Sequence, residues 1–361
     1  MRSGLQTVAI FGLWAASCAA ALADFDPARY VAQIHPVAPH VWVLKQPIGQ
    51  EWHGNVEVIE QHDGLVLVDT GSNAGDGRHI VTLVKSISDK PVKAVILTHW
   101  HDDHSLGLSE IKKAWPAARV IAAEGALEGM ETMMTKRTRF DAPDPDLEAA
   151  RAERFSGYIE TYDAQAADET LSVDERRTAA EAAAVLRFRV DGYKGSYIVR
   201  PTELVKDTLS IADAQTPIEI MFLGRGNSQG DLVVDLPEQK IAIVGDLIVQ
   251  PVPYGYSVFP KEWADTMRKL DAMDFTLMLP GHGEPVQDRL YLRLVLWSIE
   301  DIRKQTGQFA AEGLSLEDVK ERIDYSVHRE KWAPHDPGYW LDAITASAFN
   351  EATGVPNLGG L

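Results

Sequence analysis

Apolar residues recur in two rhythms along this chain, and the switches between them divide it into elements. Val41-Trp42-Val43-Leu44 is a short apolar run that predicts a strand. Asn55-Val56-Glu57-Val58-Ile59-Glu60 alternates in period two, and Asp63-Gly64 turns it into Leu65-Val66-Leu67-Val68-Asp69, so the pair predicts a hairpin. Gly71 to Gly77 reads as a loop. His79 to Ile87 then places Ile80, Leu83, Val84 and Ile87 on one helical stripe. Ala94-Val95-Ile96-Leu97-Thr98 is β-branched and apolar throughout, the pattern of a buried strand. A helix is expected over Ser109 to Trp115, stopped by Pro116, followed by a strand at Val120-Ile121-Ala122-Ala123.

Residues of about 125–184 differ in character. They are rich in Ala, Glu, Asp, Arg and Met, with helical periodicity and charged faces, and predict two or three surface helices inserted between two α/β halves. From Thr202 the period returns to two. Strands are expected at Ile218 to Leu223, Asp231 to Leu236, Ile241 to Val244 and Phe275 to Leu279, with a helix over Trp263 to Met273. Helices over Tyr291 to Gly307 and Leu316 to Tyr325 open a C-terminal helical part of about 290–361. Two β-plus-α halves packed face to face predict an α/β fold, a four-layer αββα sandwich with a helical insertion.

Composition narrows the partners. The 361 residues carry 45% hydrophobic residues, enough for a substantial core, and a formal net charge of -18, which disfavours nucleic acid. No apolar run after the N-terminus is long enough to span a bilayer. The first 23 residues pattern as a secretory signal, with Arg2, an apolar stretch from Val8 to Ala21, and Ala21-Leu22-Ala23 as the cleavage site. A mature domain of 24–361, periplasmic or secreted, is the expectation. A lipid anchor on Cys18 ranks second, because Ala15 stands where Leu is usual. Cys18 is the only cysteine, so the mature chain has neither disulfides nor thiolate ligands.

The chemistry is concentrated in six residues. His99-Trp100-His101-Asp102-Asp103-His104 directly follows the buried strand, where open α/β sheets place their active groups. Imidazoles and carboxylates bind zinc and related ions, and such ions activate water. His99 and His101 are two apart, so they point the same way in extended backbone. Asp103 and His104 diverge from them into a turn, within reach of a second ion. An Asp/His-rich helix cap is the bland alternative, and four ligand-type side chains in six positions make it a poor one. Three later candidates each follow a strand: Asn227 in a Gly-rich segment, Asp246 after Gly245, and His282 in Pro280-Gly281-His282-Gly283.

These pieces, with Leu67-Val68-Asp69-Thr70-Gly71, occur in one order, and the chain from about Trp42 to Pro285 resembles the metallo-β-lactamase superfamily of hydrolases. The resemblance implies an αββα fold with metals at one edge between the sheets. It implies that His99 and His101 ligate a first zinc, that Asp103, His104 and His282 ligate a second, that Asp246 bridges the two, and that Asp69 orients the metal-bearing loops. The family usually has a third histidine where this chain has Asn227. The first site is therefore expected to be the weaker, with Asn227 as a poor ligand or a substrate contact. His53, in Trp52-His53-Gly54-Asn55, is a candidate ligand and a better candidate substrate contact, with a plain surface or packing role the commonest fate of such a histidine. Arg225, Lys261, Trp263 and Tyr254-Gly255-Tyr256 are placed to line the pocket, with packing as the equal alternative.

The implied activity is hydrolysis of a small-molecule ester, lactone or amide by a metal-activated water, with Asp103 orienting that water. β-Lactams, lactones, thioesters and phosphoesters are all cleaved on this fold, and a carboxylate-bearing small molecule is preferred here. A redox di-iron relative would carry Glu where His101 stands. A metal-binding accessory protein with a degenerate site is the competing reading.

Overall fold

The computed structural model describes residues 25–47, 53–332 and 338–359. The predicted signal segment, with Cys18, lies outside the described residues. Among the described residues twelve strands form two sheets. The first takes β1 (Gln33–Ala38), β2 (Val41–Lys45), β3 (Val56–Glu60), β4 (Leu65–Val68), β5 (Val92–Ile96), β6 (Arg119–Ala123) and β7 (Glu203–Val205) in sequential order. Its first four strands are an antiparallel meander, and β4 to β7 run parallel. The second takes β8 (Thr208–Ile211), β9 (Ile218–Phe222), β10 (Leu232–Leu236), β11 (Ile241–Val249) and β12 (Leu277–His282) in the spatial order β12-β11-β10-β9-β8.

Period-two alternation sorts the second sheet into two cores. Leu232, Val234, Leu236, Ile241, Ile243 and Leu279 turn inward to the first sheet, whereas Val233, Ala242, Val244 and Met278 face the C-terminal helices. The first group shares its core with residues of the first sheet such as Val58, Leu67 and Val95, which pair across β3, β4 and β5. The second packs with Trp263, Leu292, Val295, Trp332 and Trp340. Each such aliphatic side chain, fully buried, contributes roughly 1.5–3 kcal/mol of transfer free energy. On the outer face of the first sheet lie Ile80, Val84 and Ile111 from the helices Ala74–Ile87 and Leu108–Ala114. The result is the four-layer αββα arrangement.

Several elements depart from their predicted bounds for physical reasons. The helix expected from His79 starts at Ala74, capped by the Asn73 side chain, which accepts the Asp76 N–H at 3.0 Å. Gly75 and Gly77 are not loop residues; they permit close contact, since a Cβ at Gly75 would lie 2.9 Å from the Gly192 Cα. β1 was not expected: Pro36 interrupts its pattern, and an edge strand tolerates the missing N–H. The insertion contains the helices Glu124–Thr132, Pro145–Ala167 and Val173–Gly192. The last runs past 184, and the first buries Ala126 and Met130 in the main core, so it is not a surface helix. Two more helices, Ser326–Trp332 and Tyr339–Thr353, follow the two expected near the C-terminus. No helix among the described residues is long and apolar enough to cross a membrane.

Candidate metal centre

Strand ends deliver the candidate side chains. β5 ends at Ile96, and the chain continues through Leu97 and Thr98 to His99 and His101, then enters the short helix Asp102–Ser105, which carries Asp103 and His104. β11 supplies Asp246, and β12 ends at His282, its parallel neighbour. Two groups of potential ligating atoms form, each with all its atoms within 4.8 Å: Asp103, His104, Asp246 and His282; and His99, His101 and Asp246. Asp246 belongs to both. The structure thus brings together His99, His101, Asp103, His104, Asp246 and His282 from three separate stretches of chain.

Within the four-residue group, His104 Nε2 lies 3.3 Å from His282 Nε2, 3.2 Å from Asp246 Oδ1 and 3.6 Å from Asp103 Oδ2. His282 Nε2 is 3.1 Å from Asp103 Oδ2. In the other group His99 Nε2 stands 3.7 Å from Asp246 Oδ2 and, although buried, makes no hydrogen bond among the described residues. A buried imidazole nitrogen without a proton partner is costly unless something electrophilic meets it. The donor set is all histidine and carboxylate, which suits zinc-like divalent ions.

The electrostatics divide the two groups. Burial, reinforced by His104 and His101, holds the His99 imidazole well below its ordinary range, and burial lowers His101 too. Both are therefore neutral and able to donate a lone pair. Burial pushes His104 the same way, but Asp246, Asp103 and Asp69 together raise it well above its ordinary value. His282 is raised against burial by Asp246 and Asp103. Burial would raise both carboxyls; instead the surrounding histidines, His104 first, hold Asp103 and Asp246 below the usual range.

The surrounding residues fix these rings. Asp69 Oδ2 accepts from His104 Nδ1 at 2.7 Å, and its two oxygens also accept the Thr98 N–H and hydroxyl, each at 2.7 Å. That bond presents His104 Nε2 to the cluster. Asn55 Nδ2 donates to the carbonyls of Pro280 and Gly283 at 2.9 and 3.0 Å, tying down the loop that bears His282. His101 Nε2 donates to the Gly359 carbonyl at 3.0 Å, leaving Nδ1 free of its proton to face the cluster. The segment carrying Gly359 is anchored in turn: Gly359 N–H donates to Ser257 O at 2.7 Å, and Gln229 Nε2 donates to Leu358 O at 2.6 Å. Nothing in the sequence marks Gly359, because the contact is made by backbone. Removing residues 355–361 is expected to weaken metal binding at the His99/His101 group about tenfold. A cobalt or zinc titration unchanged by the truncation would show that this contact does not orient the ring.

A cavity of about 400 Å³ opens over His101, Asp103, Asp246 and His282. Val252, Pro253, Tyr254 and Tyr339 give it an apolar wall, and Arg137 joins it from the insertion. Tyr254 is thus a lining residue, as expected. Arg225 is not: it pairs with Glu262 beside Lys261 over a separate surface depression, and Trp263 is fully buried in the core. His53 is buried, with Nδ1 2.7 Å from its neighbour's carbonyl oxygen, Gly54 O, and lines a different cavity of about 480 Å³ between the N-terminal turn and the insertion. It belongs to neither ligating group. Asn227 is buried; its Nδ2 reaches the Tyr254 carbonyl at 3.5 Å, and its Oδ1 has no hydrogen-bond partner among the described residues.

Known proteins agree with this architecture. The family model described as the metallo-beta-lactamase superfamily matches residues 49–282. A linear primary-alkylsulfatase from a Pseudomonas species is 25% identical over 296 residues, covering 78% of this chain and 52% of that protein. A probable metallo-hydrolase of Streptococcus pyogenes is 33% identical over 70 residues, 19% of this chain and 28% of its own length. Among solved structures, the stereoselective inverting sec-alkylsulfatase Pisa1 from Pseudomonas superposes with a TM-score of 0.60 at 16% identity, covering 89% of this chain and 50% of that one. A metallo-beta-lactamase from Pontibacter korlensis gives 0.50 at 17% identity, covering 75% and 99%. The chain spans about half the length of the alkylsulfatases it matches. With the matched region covering well over half of its residues, the chain belongs to the metallo-beta-lactamase superfamily.

Proposed function

We propose that the protein is a zinc-dependent hydrolase of small amphiphilic esters, with alkyl sulfates the first class to test. The observation that carries this reading is the convergence of two His/Asp groups on one shared carboxylate, Asp246, at the floor of a cavity with an apolar wall. In the proposal His99, His101 and Asp246 would hold one zinc, and Asp103, His104, His282 and Asp246 would hold the other. Bound zinc supplies a Lewis acid and brings water into its nucleophilic form near neutral pH. The chain's own residues do the rest. Asp103, on the cavity side of its group, accepts a hydrogen bond from the attacking water and orients it. The wall from Val252 to Tyr254, with Tyr339, holds an alkyl portion and excludes bulk water. Asn227, whose Oδ1 has no hydrogen-bond partner among the described residues, would be a weak ligand of the first zinc in this reading, which makes that site the looser one. The relative that cleaves alkyl sulfates supports the substrate class, and the lactone and amide alternatives stay within the same chemistry. Export to the periplasm, directed by residues 1–23, belongs to the same reading.

Hydrolysis of octyl sulfate, p-nitrophenyl esters, lactones and a chromogenic β-lactam by zinc-loaded protein is the test. Turnover of at least one class is expected, lost on chelation and reduced about 10²-fold or more in Asp103→Ala. Stoichiometric zinc with no turnover of any class would instead support a binding protein.

A further inference from the structure

We infer that Arg137 recognises the anionic group of the substrate; the substrate in question rests on the hydrolase reading above, the placement on geometry alone. Among the lining residues of the cavity over the cluster, Arg137 is the one lysine or arginine. The other charged side chains there are Asp102, Asp103 and Asp246, in a protein of net charge -18. Bound metal would attract an anion to the cavity floor, and Arg137 adds the one basic side chain of the lining, which offsets the carboxylates around it.

Arg137 is also only loosely held, by one long ion pair. Its Nη2 stands 3.7 Å from Asp102 Oδ1, and that oxygen accepts no hydrogen bond among the described residues. Nor does the Arg137 side chain donate one among them. The reason lies in Arg151, from the helix Pro145–Ala167. Arg151 places Nη1 and Nη2 3.4 and 3.5 Å from Asp102 Oδ2, and it packs over the Tyr193 ring at 4.0 Å. Asp102 is therefore already compensated by a largely buried guanidinium. Arg151 also donates to Thr138 Oγ1 at 3.1 Å and to the Arg137 carbonyl at 3.5 Å, while the Arg137 N–H donates to Met134 O at 2.8 Å. The backbone of Arg137 is thus held in place while its guanidinium, without a hydrogen bond among the described residues, lines the cavity.

A guanidinium fork matches two oxygens of one oxyanion, and its pairing with a charged acceptor is stronger than with a neutral one. The same cavity carries the apolar wall of Val252, Pro253, Tyr254 and Tyr339. The ligand class is a sulfate ester, sulfonate or carboxylate carrying an alkyl chain. The insertion then has a role in this chain: through Arg151 it frees Arg137 for the substrate.

The test is calorimetric titration of the zinc-loaded full chain with 1-octanesulfonate, a non-hydrolysable probe, and with neutral 1-octanol. Arg137→Ala should weaken the sulfonate at least tenfold and leave octanol unchanged, with Arg137→Lys in between. Arg151→Ala should also weaken the sulfonate, because Asp102 then captures Arg137. A melting temperature equal to wild type in Arg137→Ala would confirm that the fold is intact. Equal loss of both probes, or no loss of either, overturns the inference. Parallel assays with octyl sulfate and octyl acetate separate the two readings. Turnover with sulfonate binding indifferent to Arg137 defeats the inference and leaves the hydrolase. Arg137-dependent sulfonate binding without turnover of any ester defeats the hydrolase and leaves the anion site.

Discussion

Asp246→Ala is expected to remove a ligand from both groups at once, emptying the His99/His101 group and weakening the other, and to lower hydrolysis by about three orders of magnitude or more, whereas His282→Ala should weaken only one group. The difference follows from topology. His99 and His101 reach the cluster from the end of β5, Asp103 and His104 from the short helix behind it, and His282 from β12; Asp246 alone lies within reach of both sets. Its position is fixed by its neighbours. A Cβ at Gly281 would overlap Asp246 Oδ1, so the absence of a side chain there is what allows β12 to lie against the carboxylate. Without Asp246 the four-residue group is left with one carboxylate and two imidazoles, and the other with two imidazoles. The first set is reduced to the minimum of three protein ligands, and the second falls below it. Elemental analysis after gel filtration is the measurement. Two ions per chain retained by Asp246→Ala would sink the bridging assignment, and one retained by wild type and His282→Ala alike would sink the two-group division.

Much of this site is legible in the sequence because its groups are side chains at strand ends. The His99 to His104 string, Asp246 and His282 each follow a run of period-two or continuous apolar residues, and that placement survives folding unchanged. Alternation made the two-sided burial of β10 and β11 readable in the same way. What could not be read depends on contacts without a local signature. The Gly359 carbonyl meets His101 across 258 residues through backbone alone. Arg137 sits in a stretch whose charges all look solvated, and its freedom is set by Arg151 acting on Asp102, 49 residues away. Gly75 and Gly77 look like loop residues until the helices they touch are known. Arg225 follows a strand as the true candidates do, yet Glu262 holds it away from the cluster.

Gly54→Ala is expected to destabilise the protein by about 2–4 kcal/mol and to disable the four-residue group. Among the described residues no other glycine faces a candidate ligand ring so closely. A Cβ at Gly54 would overlap Cε1 and Nδ1 of His104 and come within 2.8 Å of its Nε2. Neither partner can retreat cheaply. His104 is fully buried and pinned through Nδ1 to Asp69, which is itself bound to Thr98. Gly54 N–H donates to the Asp103 carbonyl at 3.0 Å, and the next residue, Asn55, donates its N–H to Gly281 O at 2.6 Å. If His104 tilts, its bond to Asp69 is lost and Nε2 leaves the cluster. If the 53–55 loop withdraws instead, it releases the Pro280–Gly283 turn and His282 with it. Either route separates the two imidazole nitrogens that now lie 3.3 Å apart. The measurements are the melting temperature of the metal-free protein and a zinc titration. The control is Gly157→Ala, inside the helix Pro145–Ala167, where an added Cβ meets nothing within 4 Å. That change should leave zinc binding alone and stabilise the helix by roughly 0.5–1 kcal/mol. Equal behaviour of the two variants would mean that Gly54 is dispensable to the ring beside it, and that the packing of this loop does not set the position of His104.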